Sequence, residues 1–206
     1  MVDEIDLKII SDLQEDGRKS LTAIGSEIVK KKKSNDGKLE DQHGISHVSV
    51  KKRLNKLVEN QFIKVTADLN AQKFNFQLAL ISAEVESHEA TQKIIRKFSG
   101  CPRVIFLSTL GGGSYNVACI IACEDRETLN SVLAVCSLRN QEGIRRSEVS
   151  ICDTPIVPKF IPTRIFNQGC KIEDDLRQFE CVSCEKYKNG KCIGCPASEY
   201  YKNGIK

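Results

Sequence analysis

"GISHVSVKKRLNKLVEN", Gly44 to Asn60, is the stretch on which the reading of the whole chain turns. Ser46 has the short hydroxyl side chain that accepts from the first free amides of a helix, so it marks an N-cap. Val50, Leu54 and Leu57 then follow at i, i+4 and i+7 and line one face. With about 100° per residue, Val48, Ser49, Lys52, Asn55 and Lys56 fall on the other side, which is polar and basic. Upstream, Asp3 to Glu15 carries Ile5, Ile9, Ile10 and Leu13 in a helical stripe that stops near Gly17. Ser20 caps a second short helix through Leu21, Ile24 and Ile28. Three short helices in this order, the third with a buried stripe and a cationic back, are the parts of a helix-turn-helix unit. Its lysines suit phosphates, and short Ser, His and Asn side chains near the helix start suit base edges in a major groove. A basic face is also what a merely solvated helix shows; the three caps and the following "QFIKVTADLN", read as a strand, favour the DNA-binding unit.

The turn of such a unit usually has about 3 to 4 residues. Here residues 29–43, "VKKKKSNDGKLEDQH", separate the second and third helices. Ser, Asn, Asp and Gly at the centre of a charge run cannot bury a core, so the run is expected to be a flexible insertion or a hairpin close to DNA. Its lysines would add phosphate attraction independent of sequence, or simply solubilise the loop. The other reading has the second helix continue through the lysines.

Beyond residue 75 the pattern changes. "FQLALISAEVE", "RVIFLSTL", "YNVACIIACE" and "RRSEVSICD" are β-branched and apolar, while "SHEATQKIIRKF" and "DRETLNSVLAVC" are amphipathic, with Asp125 as a cap. The order β-α-β-β-α-β is the split, ferredoxin-like arrangement, an α+β fold with two helices on one face of a four-stranded antiparallel sheet. Its strands read apolar on both sides, so a second copy of the sheet is expected on the open face, giving a homodimer.

In this order "DEIDLKIISDLQEDGR", "ISHVSVKKRLNKLVENQFI" and a βαββαβ segment with "GGGSYNVACII" resemble the Lrp/AsnC, or feast/famine, transcription regulators over Asp3 to about Ile156. The resemblance implies a DNA-binding homodimer, often in higher oligomers, whose second domain senses an amino acid or related metabolite. It puts DNA contacts on the third helix, at Ser46, His47, Ser49, Lys51, Lys52 and Asn55. It puts the effector loop at Gly112, Gly113, Ser114, Tyr115 and Asn116. Many members carry an aspartate where this chain has Asn116, which has no charge to pair with an α-ammonium group. The glycines alone also suit a plain hairpin that needs positive φ.

Of the five prolines, Pro155, Pro158 and Pro162 stand in "TPIVPKFIPTR", read as an extended connector. After it, the segment from residue 170 holds too few large apolar side chains for a core of its own. Two Cys-x-x-Cys pairs, Cys181 and Cys184, Cys192 and Cys195, supply four thiolates, and the Asn-Gly between them lets one knuckle fold onto the other. Zinc in a closed structural site is the expected guest, an iron-sulfur cluster is the rival suggested by Cys195-Pro196, and a redox dithiol pair is the third reading. Cys170 lies close enough in sequence to substitute in a cluster, and the neighbouring lysines and tyrosines make either a contact surface or a miniature core.

The expected organisation is a helix-turn-helix domain over 1–66 with the 29–43 insertion, a linker over 67–75, the βαββαβ domain over 76–154, a Pro-containing linker over 155–169 and the metal-binding tail over 170–206. Bulk composition agrees with a globular protein: 40% of residues are hydrophobic, 28% charged, and the net charge is +4. The other six of ten cysteines, Cys101, Cys119, Cys123, Cys136, Cys152 and Cys170, are scattered and read as core in a reducing compartment. No apolar run reaches the roughly 18 residues of a membrane span, and the acidic N-terminus is unlike a secretory signal, so no membrane partner and a cytoplasmic location are expected. Among relatives of the family the sirohaem decarboxylases are enzymes. This chain has only His43, His47 and His88 and no acid-base constellation in its sheet segment, so no catalysis is expected.

Overall fold

The structure, a computed structural model, describes residues 2–33, 39–164 and 181–202, with backbone alone for 30–33 and 39–43. Residues 1–66 and 67–206 form two compact units.

The first unit holds α1 (Glu4–Glu15), α2 (Leu21–Glu27), the strands β1 (Val29–Lys33) and β2 (Leu39–His43), and α3 (His47–Glu59). Each helix starts where a side chain satisfies an amide that has no intrahelical partner. Asp3 and Asp6 make a reciprocal capping box at 2.9 and 3.1 Å, Ser20 accepts from Ala23 N at 3.1 Å, and Ser46 accepts from Ser49 N at 3.2 Å. The apolar stripes meet in a core of Ile9, Ile24, Ile28 and Val50. Asp12, almost fully buried beneath it, takes Lys8 and Lys19 at 2.9 and 3.2 Å. Burial alone would raise the Asp12 carboxyl, but the two ammonium groups outweigh it and hold the pKa below the ordinary range.

The insertion leaves the helix-turn-helix geometry in place. β1 and β2 pair antiparallel from Val29↔His43 to Lys33↔Leu39, so the two ends of the segment return to the same spot. Gly44 N donates to Ile28 O and Ile45 N to Gly25 O, both at 2.8 Å, and these bonds bring α2 and the start of α3 together as a short turn would. The continued second helix is therefore not what forms. Gly25 makes this contact possible, because a Cβ there would collide with the Ile45 carbonyl.

After α3 the strand expected in 61–70 is reduced to β3 (Leu69–Asn70). The reason is local. Gln61 takes φ +59°, its N–H donates to Val58 O at 3.0 Å and Phe62 N donates to Leu57 O at 2.9 Å, which is a Schellman closure of the helix rather than extended chain.

The second unit follows the expected order: β4 (Gln77–Val85), α4 (His88–Ser99), β5 (Val104–Thr109), β6 (Val117–Cys123), α5 (Arg126–Val135) and β7 (Ile144–Cys152). The strands lie β5-β6-β4-β7, all antiparallel. α4 and α5 bury Ile94, Phe98, Leu129, Val132 and Leu133 against Ala79, Ile81, Ala83, Cys119 and Ile121. On the opposite face β3 pairs with β8 (Phe160–Ile161) and lays Ala71 and the fully buried Ile161 on Leu78 and Ala122. The two segments read as linkers thus meet as a small ribbon on the sheet, since Ile161 gains more from burial than an extended connector would.

The described part of the tail, with the single helical turn α6 (Glu185–Lys188), also belongs to this unit. Gly194, at φ +88°, passes so close to Tyr200 that a Cβ would stand 2.6 Å from the Tyr200 carbonyl. Residues 165–180, with Cys170, lie outside the described residues.

Replacing Gly25 by Ala forces α2 from α3, and overpacking of this kind costs about 1–3 kcal/mol. Amide exchange is expected to speed up in residues 4–59 with no change in β4, β6 or α5; unaltered exchange in α2 and α3 would contradict the close approach.

Candidate functional site

Three places carry the residues singled out in the sequence. The first is the outer face of α3. Ser46, His47, Ser49, Lys51, Lys52 and Asn55 are all exposed, while Val50 and Leu57 are buried beneath them. Ser46 Oγ and Ser49 Oγ lie 3.0 Å apart, so both hydroxyls are ordered by the cap. Arg53 turns the other way. Its guanidinium reaches Asp3 at 2.7 Å and Asp6 at 2.8 Å, tying α3 to the start of α1 and spending that charge inside the unit. Among the described residues no ion pair engages Lys51, Lys52 or Lys56, which leaves their charge to the solvent side.

The second place is the turn between β5 and β6. Gly112 and Gly113 have φ of +82° and +84° and nothing within 4 Å of a built Cβ, so they serve the backbone of an open turn. Asn116 is fully engaged. Its Oδ1 accepts from Val85 N and its Nδ2 donates to Val85 O, both at 2.8 Å, patching the point where β4 and β7 slip register between Glu84 and Val85. An aspartate could accept there but not donate, which accounts for the amide at this position. Tyr115 lies under Arg146, 5.2 Å from ring centre to guanidinium carbon, and its hydroxyl donates to Glu148 at 3.3 Å. Arg146 also donates to Ser114 O at 3.1 Å and to Glu84 at 2.7 Å.

The third place is where the tail meets the sheet unit. Cys181, Cys184, Cys192 and Cys195 all face one cavity of about 150 Å³, and on its far wall stand Cys101, after α4, and Cys136, at the end of α5. Three tethers hold the tail against this wall. Arg103 donates through Nε and Nη2 to Glu124 Oε2 at 3.2 and 2.8 Å and through Nη2 to Gly194 O at 2.7 Å. Tyr201 donates to Glu124 Oε1 at 2.8 Å, and Ser131 Oγ to Lys191 O at 2.7 Å. Arg103 and Glu124 are only 5% and 7% exposed, so each needs the other. Burial pushes the thiol of Cys195 up to about 11 and that of Cys136 to about 12. Burial outweighs the pull of Arg103, so both are protonated and poorly nucleophilic at neutral pH, unlike a reactive dithiol pair.

Of the cysteines read as core, Cys119 and Cys123 are buried in it, and Cys101 and Cys136 pack against it while also lining the cavity under the tail. Arg103 was not singled out at all. A buried arginine beside "CP" at the head of a strand was the available signal, yet nothing local names Glu124 or Gly194 as its partners. His47 and His88 are exposed at helix starts, with no carboxylate paired to either among the described residues.

The comparisons with known proteins agree on the fold. No family model matches the chain. The HTH-type transcriptional regulator Ptr1 of Methanocaldococcus jannaschii is 27% identical over 135 residues, 65% of this chain and 80% of that protein. Among solved structures, PH0061 superposes with a TM-score of 0.59 at 15% identity, covering 75% of this chain and 94% of its own. E. coli AsnC gives 0.54 at 16% identity, over 76% and 95%. The Mycobacterium tuberculosis leucine response regulatory protein LrpA gives 0.57 at 14% identity, over 76% and 96%. The chain therefore has the AsnC/Lrp fold.

Asn116→Ala leaves the Val85 amide and carbonyl without their partners. It is expected to cost about 1–3 kcal/mol, read as a lower denaturant midpoint at unchanged slope. A neutral substitution would mean that the amide does not hold the strand end.

Proposed function

We propose that the chain is a DNA-binding transcription regulator that acts as a homodimer and whose tail is held in shape by a metal bound to Cys181, Cys184, Cys192 and Cys195. The outer face of α3 carries this reading: its exposed cations are unspent, while the one arginine of the helix that faces inward is neutralised by Asp3 and Asp6. Cations left on one side of a helix opposite its buried stripe are what phosphate contacts require, and Ser46, His47, Ser49 and Asn55 stand beside them for base edges. The names of the similar proteins, an HTH-type transcriptional regulator, AsnC and LrpA, support the same class. So does the absence, among the described residues, of any helix long and apolar enough to cross a membrane.

Dimerisation is supported by the open face of the sheet. Leu80, Ile120 and the half-exposed Phe106 lie side by side in register, with Ile120 at the rim of the cluster under the β3–β8 ribbon. A stripe of this kind across β4, β6 and the edge strand β5 is suited to a second sheet of the same sequence. An effector at the 112–116 turn would meet main chain and the Tyr115–Arg146 pair, since Asn116 is consumed by Val85. For the tail, four thiolates accept zinc as a closed structural site or an iron-sulfur cluster. The regulator acts without catalysis, in the cytoplasm with its DNA.

Lys52→Ala is expected to weaken binding to all duplexes alike and to lower the slope of log K against log salt by about 1. Asn55→Ala is expected to alter the preference among sequences selected from genomic fragments. If both variants bind random and selected DNA as the parent does, α3 is not the reading helix.

A further inference from the structure

We infer that the cavity between the tail and the sheet unit houses a four-iron, four-sulfur cluster bound by Cys181, Cys184, Cys192 and Cys195, with Cys101 and Cys136 facing it from the sheet side. The inference rests on the metal-holding reading of the tail and is independent of DNA binding.

Size is the first argument. A zinc ion with four thiolates draws every sulfur to about 2.3 Å from one point and leaves no room between them. Here six cysteines, two more than a single zinc ion takes, line one space of about 150 Å³. A space of this size lined by cysteines matches a guest with a body of its own.

The wall supplies the second. Its apolar part is Phe98, Val104, Ile121, Val132 and Val135, serines and Tyr187 also line it, and the charged side chains on it are Lys97, Arg103 and Lys186. Every one is a cation, and no Asp, Glu or His lines it among the described residues. Four thiolates around a cluster core leave a net negative charge, which Lys97 and Lys186 accommodate and an acidic lining would not, the charge of Arg103 being met by Glu124. A shielded apolar surround with cations near it is also a setting in which clusters persist and their potentials are tuned.

Sulfur contacts supply the third. Ala197 N donates to Cys195 Sγ at 3.4 Å, an amide-to-sulfur bond of the type that stabilises cluster thiolates. Cys101 and Cys136 reach the same space from segments far away in sequence, and Cys136 directly follows the last residue of α5. A simple zinc knuckle would need neither.

The test is elemental analysis of the full chain, purified without oxygen and then supplied with iron salt, sulfide and a thiol reductant. About four iron and four sulfide per chain are expected, with broad visible absorption that bleaches on reduction. Cys184→Ala is expected to lose both, and Cys152→Ala, a cysteine on the other face of the sheet, to keep both. Val135→Phe, which puts a ring into the cavity, is expected to exclude the cluster while circular dichroism stays that of the parent. One zinc per chain with no bound sulfide after this treatment, or a Val135→Phe chain that still carries four iron, overturns the inference while the metal-holding reading of the tail survives. A chain that retains no metal of either kind overturns both. DNA binding measured on the same samples is a separate result: a clustered chain that ignores DNA would retire the regulator and leave the cluster.

Discussion

The guanidinium of Arg103 is the constraint on which the second unit depends. It sits at the head of β5 with almost no solvent, paired to Glu124 at the end of β6 and bonded to the Gly194 carbonyl of the tail. A buried charge pair adds little net stability, but removing one member leaves the other stranded at a cost of about 3–5 kcal/mol. Arg103 therefore fixes geometry more than it adds stability. Its donors specify where the tail lies, Tyr201 closes the remaining oxygen of Glu124, and the second Cys-x-x-Cys pair is carried to the wall that holds Cys101 and Cys136. The tail reads as an appendage in sequence and is part of the sheet unit in space.

The first unit depends on a smaller contact of the same kind. Two main-chain bonds from Gly44 and Ile45 to Ile28 and Gly25 close the base of the inserted hairpin. A hairpin returns its ends to one place whatever its length, so fifteen added residues do not disturb the crossing of α2 and α3. The lysine-bearing strand β1 is thereby fixed at its base next to the capped start of α3. Arg53, meanwhile, holds α3 to α1, and the remaining cations are left on the outer face.

Most of the fold was legible because it follows from periodicity and caps. Ser20, Ser46 and Asp125 each begin the helix that their side chains suggested, and the six elements of the sheet unit fall where alternation and amphipathicity put them. What escaped was non-local. Residues 61–62 look like the start of a strand until Gln61 adopts a left-handed φ and closes α3. Ile161 looks like part of a linker until it is buried against Leu78. The candidate sites divide the same way. The exposed face of α3 is readable from a helical wheel, and the four tail cysteines from their spacing. The use of Asn116 as a strand patch and the turning of Cys101 and Cys136 toward the tail depend on partners about 31 to 91 residues away, as in the Asn116–Val85 and Arg103–Gly194 bonds. No local pattern encodes such distances.

The most direct test of this account is amide exchange in the paired variant Arg103→Met, Glu124→Gln, which removes the tether without leaving a lone buried charge. If Arg103 fixes the tail on the sheet, amides of residues 181–202 will exchange about tenfold faster or more, equivalent to about 1.4 kcal/mol, together with those at the ends of β6 and α5, while α1 to α3 stay unchanged. If the tail keeps its protection in that variant, it folds on its own, and the shared wall of cysteines is not what positions it.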